Sequence, residues 1–232
     1  MHSPAHAPTG HDQGYVKLQA IPYRGHWLVE QAVLRHTKPG DRIFEGGVSS
    51  GYLARRFVDA GRRVDGADIE AEAARQAMEV CDRVWIGDLA DLDLDQLAES
   101  YQLVLFADTL EHLPDPPAVL RRLSTRLDPT GTLVVSLPNV ANWAIRLGLL
   151  AGRFRYTDRG ILDRTHLRFY TKKTAVQMLR EGGFEVTDIV ASVPVPLVKS
   201  PMLCRMAHAI GNLRPSLFAY ALVITARPAA RA

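Results

Sequence analysis

The sequence predicts an α/β protein: a doubly wound, mostly parallel seven-stranded sheet with helices on both faces, closed by a C-terminal antiparallel β-hairpin. Three observations carry this. Short β-branched strands alternate with helix-periodic segments from residue 25 to residue 137, a spacing that calls for parallel pairing through helical crossovers. The first strand runs into the small-residue loop Glu45-Gly-Gly-Val-Ser-Ser-Gly51, and the second, Val64-Asp-Gly-Ala-Asp68, ends in an acid. The chain then finishes in two strand-like segments, 184–193 and 217–226, too close together for another regular crossover.

The elements follow in order. Residues 25–37 read as a helix in which Trp27, Leu28, Ala32, Val33 and Leu34 share a face, stopped by Pro39-Gly40. Strand 42–45 precedes helix 52–60, which Gly61 ends. Strand 63–68, an alanine-rich helix over 71–80 and strand 83–86 come next. Strand 102–106 leads to a helix over 117–127, stopped by Asp128-Pro129, and then to strand 131–137. A helix over 174–180 ends at Gly182-Gly183. Between the last two strands, Pro194, Pro196, Pro201 and Pro215 predict an irregular insertion at about 194–216. The domain plan is a disordered tail over 1–14 and one domain over 15–232, with a lid at about 140–170.

Composition excludes several classes. Hydrophobic residues make up 47% of the 232, enough for a sizeable core. No apolar run reaches the ~18–20 residues of a membrane span. Residues 1–14 contain one acid, no Lys or Arg and no apolar centre, so they do not read as a signal peptide. Cys81 and Cys204 have no metal-like spacing, which points to free thiols in a reducing, cytoplasmic setting. The net charge of +3 is unevenly spread: no Asp or Glu lies between Ile189 and Ala232, a stretch with Lys199, Arg205, Arg214, Arg227 and Arg231. Residues 142–155 are also acid-free and carry Arg146, Arg153 and Arg155. These stretches suit an anionic acceptor or a peripheral membrane contact. No dense basic patch with interleaved aromatics suggests nucleic acid.

The chemistry-bearing residues sit at strand ends. Gly47 and Gly51 let the backbone approach a ligand, and the following helix start offers free N–H groups. Asp68 lies 17 residues after Gly51, near the spacing of a ribose-binding acid, and its carboxylate can accept from two hydroxyls. Gly87-Asp88-Leu89 follows the third strand, and Asp108 stands at the tip of the fourth. Asp163-Arg164-Thr165-His166 brings polar groups into a largely apolar stretch. It reads either as a fixing network or as a general base, His166, oriented by Asp163. His112 is a second candidate base. No metal site is expected.

The loop resembles the E/D-x-G-x-G-x-G motif of the class I S-adenosylmethionine-dependent methyltransferases, with Ser49 in place of the commoner middle glycine. Phe106-Ala-Asp-Thr-Leu-Glu-His-Leu-Pro-Asp-Pro116 is similar to one branch of them. So are Ser136-Leu-Pro-Asn-Val-Ala-Asn142, Leu149-Leu-Ala-Gly-Arg-Phe-Arg-Tyr156 and Gly160-Ile-Leu-Asp-Arg-Thr-His-Leu-Arg-Phe-Tyr-Thr171. The resemblance covers about residues 15–227. It implies a Rossmann-like fold and S-adenosylmethionine as cofactor. It assigns cofactor contacts to Glu45, Gly47, Ser49, Gly51, Tyr52, Asp68, Ile69, Asp88, Leu89 and Asp108. Members often accompany sugar-modifying enzymes, which implies O-methylation of a sugar, glycan or lipid-linked glycan in polysaccharide biosynthesis. Two other classes compete with this reading. A non-catalytic binding protein on the same fold is suggested by the unusual Gly46-Gly47-Val48-Ser49. An NAD-dependent oxidoreductase is disfavoured by the lack of G-x-G-x-x-G and of a Tyr-x-x-x-Lys pair.

Overall fold

The computed structural model describes residues 21–98, 100–194 and 200–229. The tail expected over 1–14, and also Lys199 and Arg231, lie outside the described residues. Alternation of strand and helix produces α1 (Gly25–His36), β1 (Arg42–Gly46), α2 (Tyr52–Asp59), β2 (Arg63–Asp68), α3 (Ala71–Ala77) and β3 (Arg83–Ile86). Then follow β4 (Tyr101–Ala107), α4 (Pro116–Ser124), β5 (Leu127–Pro138), α5 (Trp143–Leu150), α6 (Lys172–Glu181), β6 (Phe184–Ser192), α7 (Pro201–Leu213), α8 (Pro215–Phe218) and β7 (Ala221–Pro228).

The seven strands form one sheet in the order β3-β2-β1-β4-β5-β7-β6. β1 to β5 pair in parallel, while β7 runs antiparallel between β5 and β6. This is a Rossmann-like doubly wound fold, with the late antiparallel pair that the sequence predicts.

Strand periodicity sorts the core into two layers. Ile43, Leu103, Leu105, Val134 and Val223 face one side, packing with Val29 and Val33 of α1 and Phe57 of α2. Their neighbours Phe44, Val104, Phe106, Val135 and Leu222 face the other, with Leu120 of α4 and Leu179 of α6. Helices thus cover both faces. Chain order reverses direction between β1 and β4, and the crevice outside their C-terminal ends is where an open α/β sheet binds ligands.

The C-terminal third departs from expectation. The insertion read as irregular contains a 13-residue helix, α7. Pro201 stands in its first turn, where proline leaves no intrahelical bond unmade and presets the backbone. β7 starts at Ala221 rather than 217 because Pro215–Phe218 turns as a short helix. The lid region contains α5, none of whose residues is buried.

Candidate functional site

Backbone strain marks the first part of the site. β1 ends in a turn where Gly47 and Val48 both donate to the Ala67 carbonyl, tying the loop to β2. Gly47 has a φ of +76°, and a Cβ there would lie 2.5 Å from Thr109 Oγ1, so glycine is required twice over. Ser49 is also left-handed, at +50°. Its amide donates to Asp68 Oδ2 at 2.7 Å, and the Glu70 amide donates to Oδ1 at 2.9 Å. Each Asp68 oxygen keeps a second lone pair for a ligand hydroxyl.

Asp108, at the tip of β4, has a positive φ of +52°. Such strain persists only where the surroundings over-determine it. Here Ser136 Oγ donates to Asp108 Oδ1 at 2.7 Å, the Asp108 amide donates to Ser136, and His26 Nε2 lies 3.3 Å from Oδ2. Burial works against its charge. The His26 hydrogen bond and charge and the Ser136 bond, with a smaller contribution from His166 at the acid pH where its ring is protonated, outweigh burial and hold the carboxyl below its usual range. Asp108 is an anion at neutral pH.

A cavity of about 320 Å³ opens over these strand ends. Of the residues assigned to the cofactor, Gly47, Ser49, Tyr52, Asp68, Ile69, Asp88, Leu89 and Asp108 line it. Ile69 is 72% exposed there, an apolar platform at the rim. Asp88 accepts from the Ala90 amide, which fixes its turn. Gly51 does not line the cavity; its left-handed conformation starts α2 instead. Neither does Glu45, which is buried beneath the loop with Oε2 lacking a hydrogen-bond partner. Burial, and then the Asp68 charge, push its carboxyl up to about 8.

A second cavity of about 420 Å³ adjoins the first, and Asp108 and His112 line both. Its wall is the 158–166 loop with Glu111, Pro138 and Tyr220. The chain reaches this position because Leu167 and Arg168 donate their amides to the Glu111 carbonyl. Val140 likewise donates to the Tyr170 carbonyl. The buried Asn139 and Asn142 side chains both donate to the Ala219 carbonyl, which pins this segment just ahead of β7.

This geometry corrects one assignment. Asp163 does not orient the His166 ring: its Oδ1 accepts from the Thr165 amide and hydroxyl. The ring is set by the Ile161 carbonyl, 3.2 Å from Nδ1. A carbonyl only accepts, so Nδ1 carries the proton and Nε2 presents a lone pair. His112 is set the same way by the Thr165 carbonyl, 3.1 Å from its Nδ1. The two rings meet edge to face at 4.8 Å. Burial first, then His112, lower the pKa of His166 against the Ile161 bond and Asp163. It is a neutral imidazole near pH 7.

Three residues of the site escaped the sequence reading. His26 lies in the first turn of α1, at the opposite end from His36, and nothing local marks it. Glu111 lies inside a recognised motif but is 1% exposed, with neither carboxylate oxygen hydrogen-bonded. Thr109 was legible only as the residue after Asp108; its hydroxyl donates to the Gly46 carbonyl under the loop.

Comparisons with known proteins agree with this fold. A family model described as "Methyltransferase domain" matches residues 25–189. The chain is 26% identical over 185 residues to the ubiquinone biosynthesis O-methyltransferase of Pseudomonas aeruginosa (strain UCBPP-PA14), covering 77% of each chain. It is 27% identical over 186 residues to that of Aeromonas salmonicida (strain A449), covering 77% of this chain and 76% of the other. Among solved structures it resembles magnesium protoporphyrin IX methyltransferase from Synechocystis PCC 6803 with bound S-adenosylhomocysteine. The TM-score is 0.60 and the identity 19%, over 95% of this chain and 84% of that one. It also resembles the CcbJ methyltransferase from Streptomyces caelestis, with a TM-score of 0.60 and 18% identity, over 90% and 91%.

Proposed function

The chain belongs to the methyltransferase-domain family of class I S-adenosylmethionine-dependent enzymes, and on that footing we propose that it O-methylates a hydroxyl group on a membrane-borne amphiphile. Its cofactor is S-adenosylmethionine. When bound, the cofactor supplies a sulfonium methyl: the acceptor oxygen's lone pair forms the new C–O bond, the C–S pair stays on sulfur and the hydroxyl proton leaves.

The residues fit this cofactor. Gly47 carries the loop past Thr109 in a conformation that brings its backbone to the cavity wall, and the unpartnered Glu45 oxygen lies beneath that loop. Asp68 offers two acceptor oxygens, and Ile69 and Leu89 give apolar walls beside Asp88. The observation that carries the reading is the junction: the two cavities share Asp108 and His112. One holds the donor, the other the acceptor, and the anionic Asp108 sits where a cation meets it. Holding the two in line can supply about 7–11 kcal/mol of the barrier. His166, with Nε2 free of a proton, takes the hydroxyl proton.

For the acceptor, the polar wall formed by Asp158, Arg159, Asp163, Arg164 and Thr165 suits a polyhydroxylated ring, a sugar or lipid-linked glycan. The relatives named for ubiquinone biosynthesis favour a second reading, a ring hydroxyl on an isoprenoid quinone precursor. Both acceptors are amphiphiles. Exposed Trp143, Leu147, Leu150 and Phe154 around α5, with Met202, Met206, Ile210 and Leu213 on α7, suit a lipid surface. Arg146, Arg153, Arg155 and Arg205 add positive charge near those segments, which favours an anionic acceptor or headgroup. No helix among the described residues is long and apolar enough to cross a membrane. A cytoplasmic site of action, suggested by only two cysteines in no metal-like spacing, belongs to the same proposal.

The test is calorimetric titration with S-adenosylhomocysteine beside an Asp68→Ala variant, followed by transfer of a labelled methyl group to glycolipids and to polyprenylated catechols. Micromolar binding, weakened at least about tenfold in Asp68→Ala for loss of charge-assisted bonds, supports the donor cavity. Label in either acceptor class supports O-methylation and names the class. Label only in amines would sink it.

A further inference from the structure

We propose that Glu111, His112 and His166 form a binding site for one divalent transition-metal ion of the zinc type, placed at the junction of the two cavities. Their donor atoms lie within 4.8 Å of one another. Both rings have Nδ1 committed to a backbone carbonyl, so each turns an unprotonated Nε2 outward. That is the second-sphere arrangement that fixes metal-binding imidazoles. His166 Nε2 already lies 3.9 Å from Glu111 Oε1.

An independent observation points to a ligand. Glu111 is 1% exposed, and neither of its carboxylate oxygens has a hydrogen-bond partner. A buried carboxyl with two orphaned oxygens costs stability unless something pairs with it. A divalent cation supplies that partner. Two neutral imidazoles and one carboxylate make a three-ligand set of the kind that catalytic zinc uses, leaving a position open to substrate. Thiolates are absent from the site and carboxylates are few, which argues against copper(I) and against calcium or magnesium. Zinc ligands sit about 2.0–2.2 Å from the ion, so the three side chains need to close only by roughly an ångström.

This inference rests on reading the second cavity as the acceptor site, and it changes how the acceptor is activated. Glu111, His112 and His166 all line that cavity, and His112 also reaches the cofactor cavity. An ion there coordinates the acceptor hydroxyl and lowers its pKa, as it does for bound water. The proton then leaves to solvent rather than to His166, whose Nε2 is a ligand.

The experiment uses the full chain, stripped with EDTA and dialysed. Zinc chloride is titrated calorimetrically, cobalt(II) is followed by its visible d–d bands, and S-adenosylhomocysteine is titrated separately. The expected result is one zinc per chain and cobalt bands of a nitrogen–oxygen site. Glu111→Gln and His166→Gln should each weaken zinc at least about tenfold, the loss that even outer-shell changes cause, with S-adenosylhomocysteine affinity retained. Zinc binding unchanged in both variants would place the ion elsewhere, for instance on the histidines of the N-terminal tail, and overturn the site. No zinc binding by a wild type that binds S-adenosylhomocysteine would also overturn it, while leaving the methyltransferase reading intact. A wild type that binds zinc but not S-adenosylhomocysteine would count against the donor cavity instead. If Glu111→Gln loses its circular dichroism signal, His166→Gln decides alone.

Discussion

The two adjoining cavities are built on different principles. The first cavity is made by the tips of β1, β2, β3 and β4, parallel neighbours whose spacing the sheet fixes. The adjoining cavity is walled by the 158–166 loop, held in place by backbone carbonyls and amides rather than by strand pairing. The first therefore depends on conformations that few residues can adopt. The second depends on which side chains a hydrogen-bonded loop carries. Substitutions should behave accordingly: in the first they disturb binding and stability together, in the second they disturb turnover with little effect on either.

His166→Gln is the strongest way to break this contrast. It keeps size and polarity but removes the basic Nε2. Turnover should fall by about 10²- to 10⁴-fold if Nε2 takes the hydroxyl proton, and severely too if Nε2 instead holds the proposed ion, with S-adenosylhomocysteine affinity within about twofold in either case. A parallel loss of cofactor affinity would show that the two cavities are one unit. Gly47→Ala tests the other side. It forces a side chain into φ +76° and against Thr109, each worth about 1–3 kcal/mol. S-adenosylhomocysteine binding should weaken at least about tenfold and the melting temperature should drop. Adding Thr109→Ala should relieve the clash but not the strain, so recovery measures the share of each.

The same difference explains what could be read from sequence. Strand-tip residues announce themselves because glycine and aspartate at fixed distances after a β-branched run have few other uses. Gly47, Asp68 and Asp108 were legible for that reason, and so was the sheet, since its two faces alternate residue by residue. The loop site was legible only as a composition. His166 and His112 could be named as candidates, but their tautomers are set by the carbonyls of Ile161 and Thr165, and any residue supplies a carbonyl. Glu111 was passed over because its neighbours made the motif. Its importance comes from burial without partners, a property of packing. α7 was missed because proline was read as a breaker where it is a starter.

Glu45 sharpens the comparison through pH rather than rate. Its folded pKa is raised from 4.5 to about 8 by burial, then by Asp68. Between those values the folded state keeps a proton that the unfolded state has lost. Stability is therefore fully present below about 4.5 and is lost as pH rises through about 8, with a slope of at most about 1.4 kcal/mol per pH unit from this group. Glu45→Gln removes the titration. The difference in stability between variant and wild type, from urea melts at pH 5 and pH 8, should shift toward the variant as pH rises. A difference that stays flat would mean that Glu45 is ionised in the folded protein, paired with something under the loop.

The smallest effect belongs to Asp163, and it discriminates most finely. If Asp163 oriented the His166 ring, Asp163→Asn would lose the anion that stabilises the imidazolium and depress turnover severely, as happens in triads whose acid is neutralised. In this structure its Oδ1 instead accepts from the Thr165 amide and hydroxyl, and asparagine's carbonyl oxygen accepts both. Partial burial raises the Asp163 pKa, and the two Thr165 bonds outweigh it, so the charge that is lost serves mainly the turn. Replacing a charged acceptor by a neutral one costs about 1 kcal/mol at such a turn, and the 163–166 backbone keeps its course. Turnover should fall by less than about fivefold, the factor that 1 kcal/mol corresponds to, and its pH profile should keep its shape. A loss above a hundredfold with a displaced pH profile would return the ring-orienting role to Asp163 and take it from the Ile161 carbonyl.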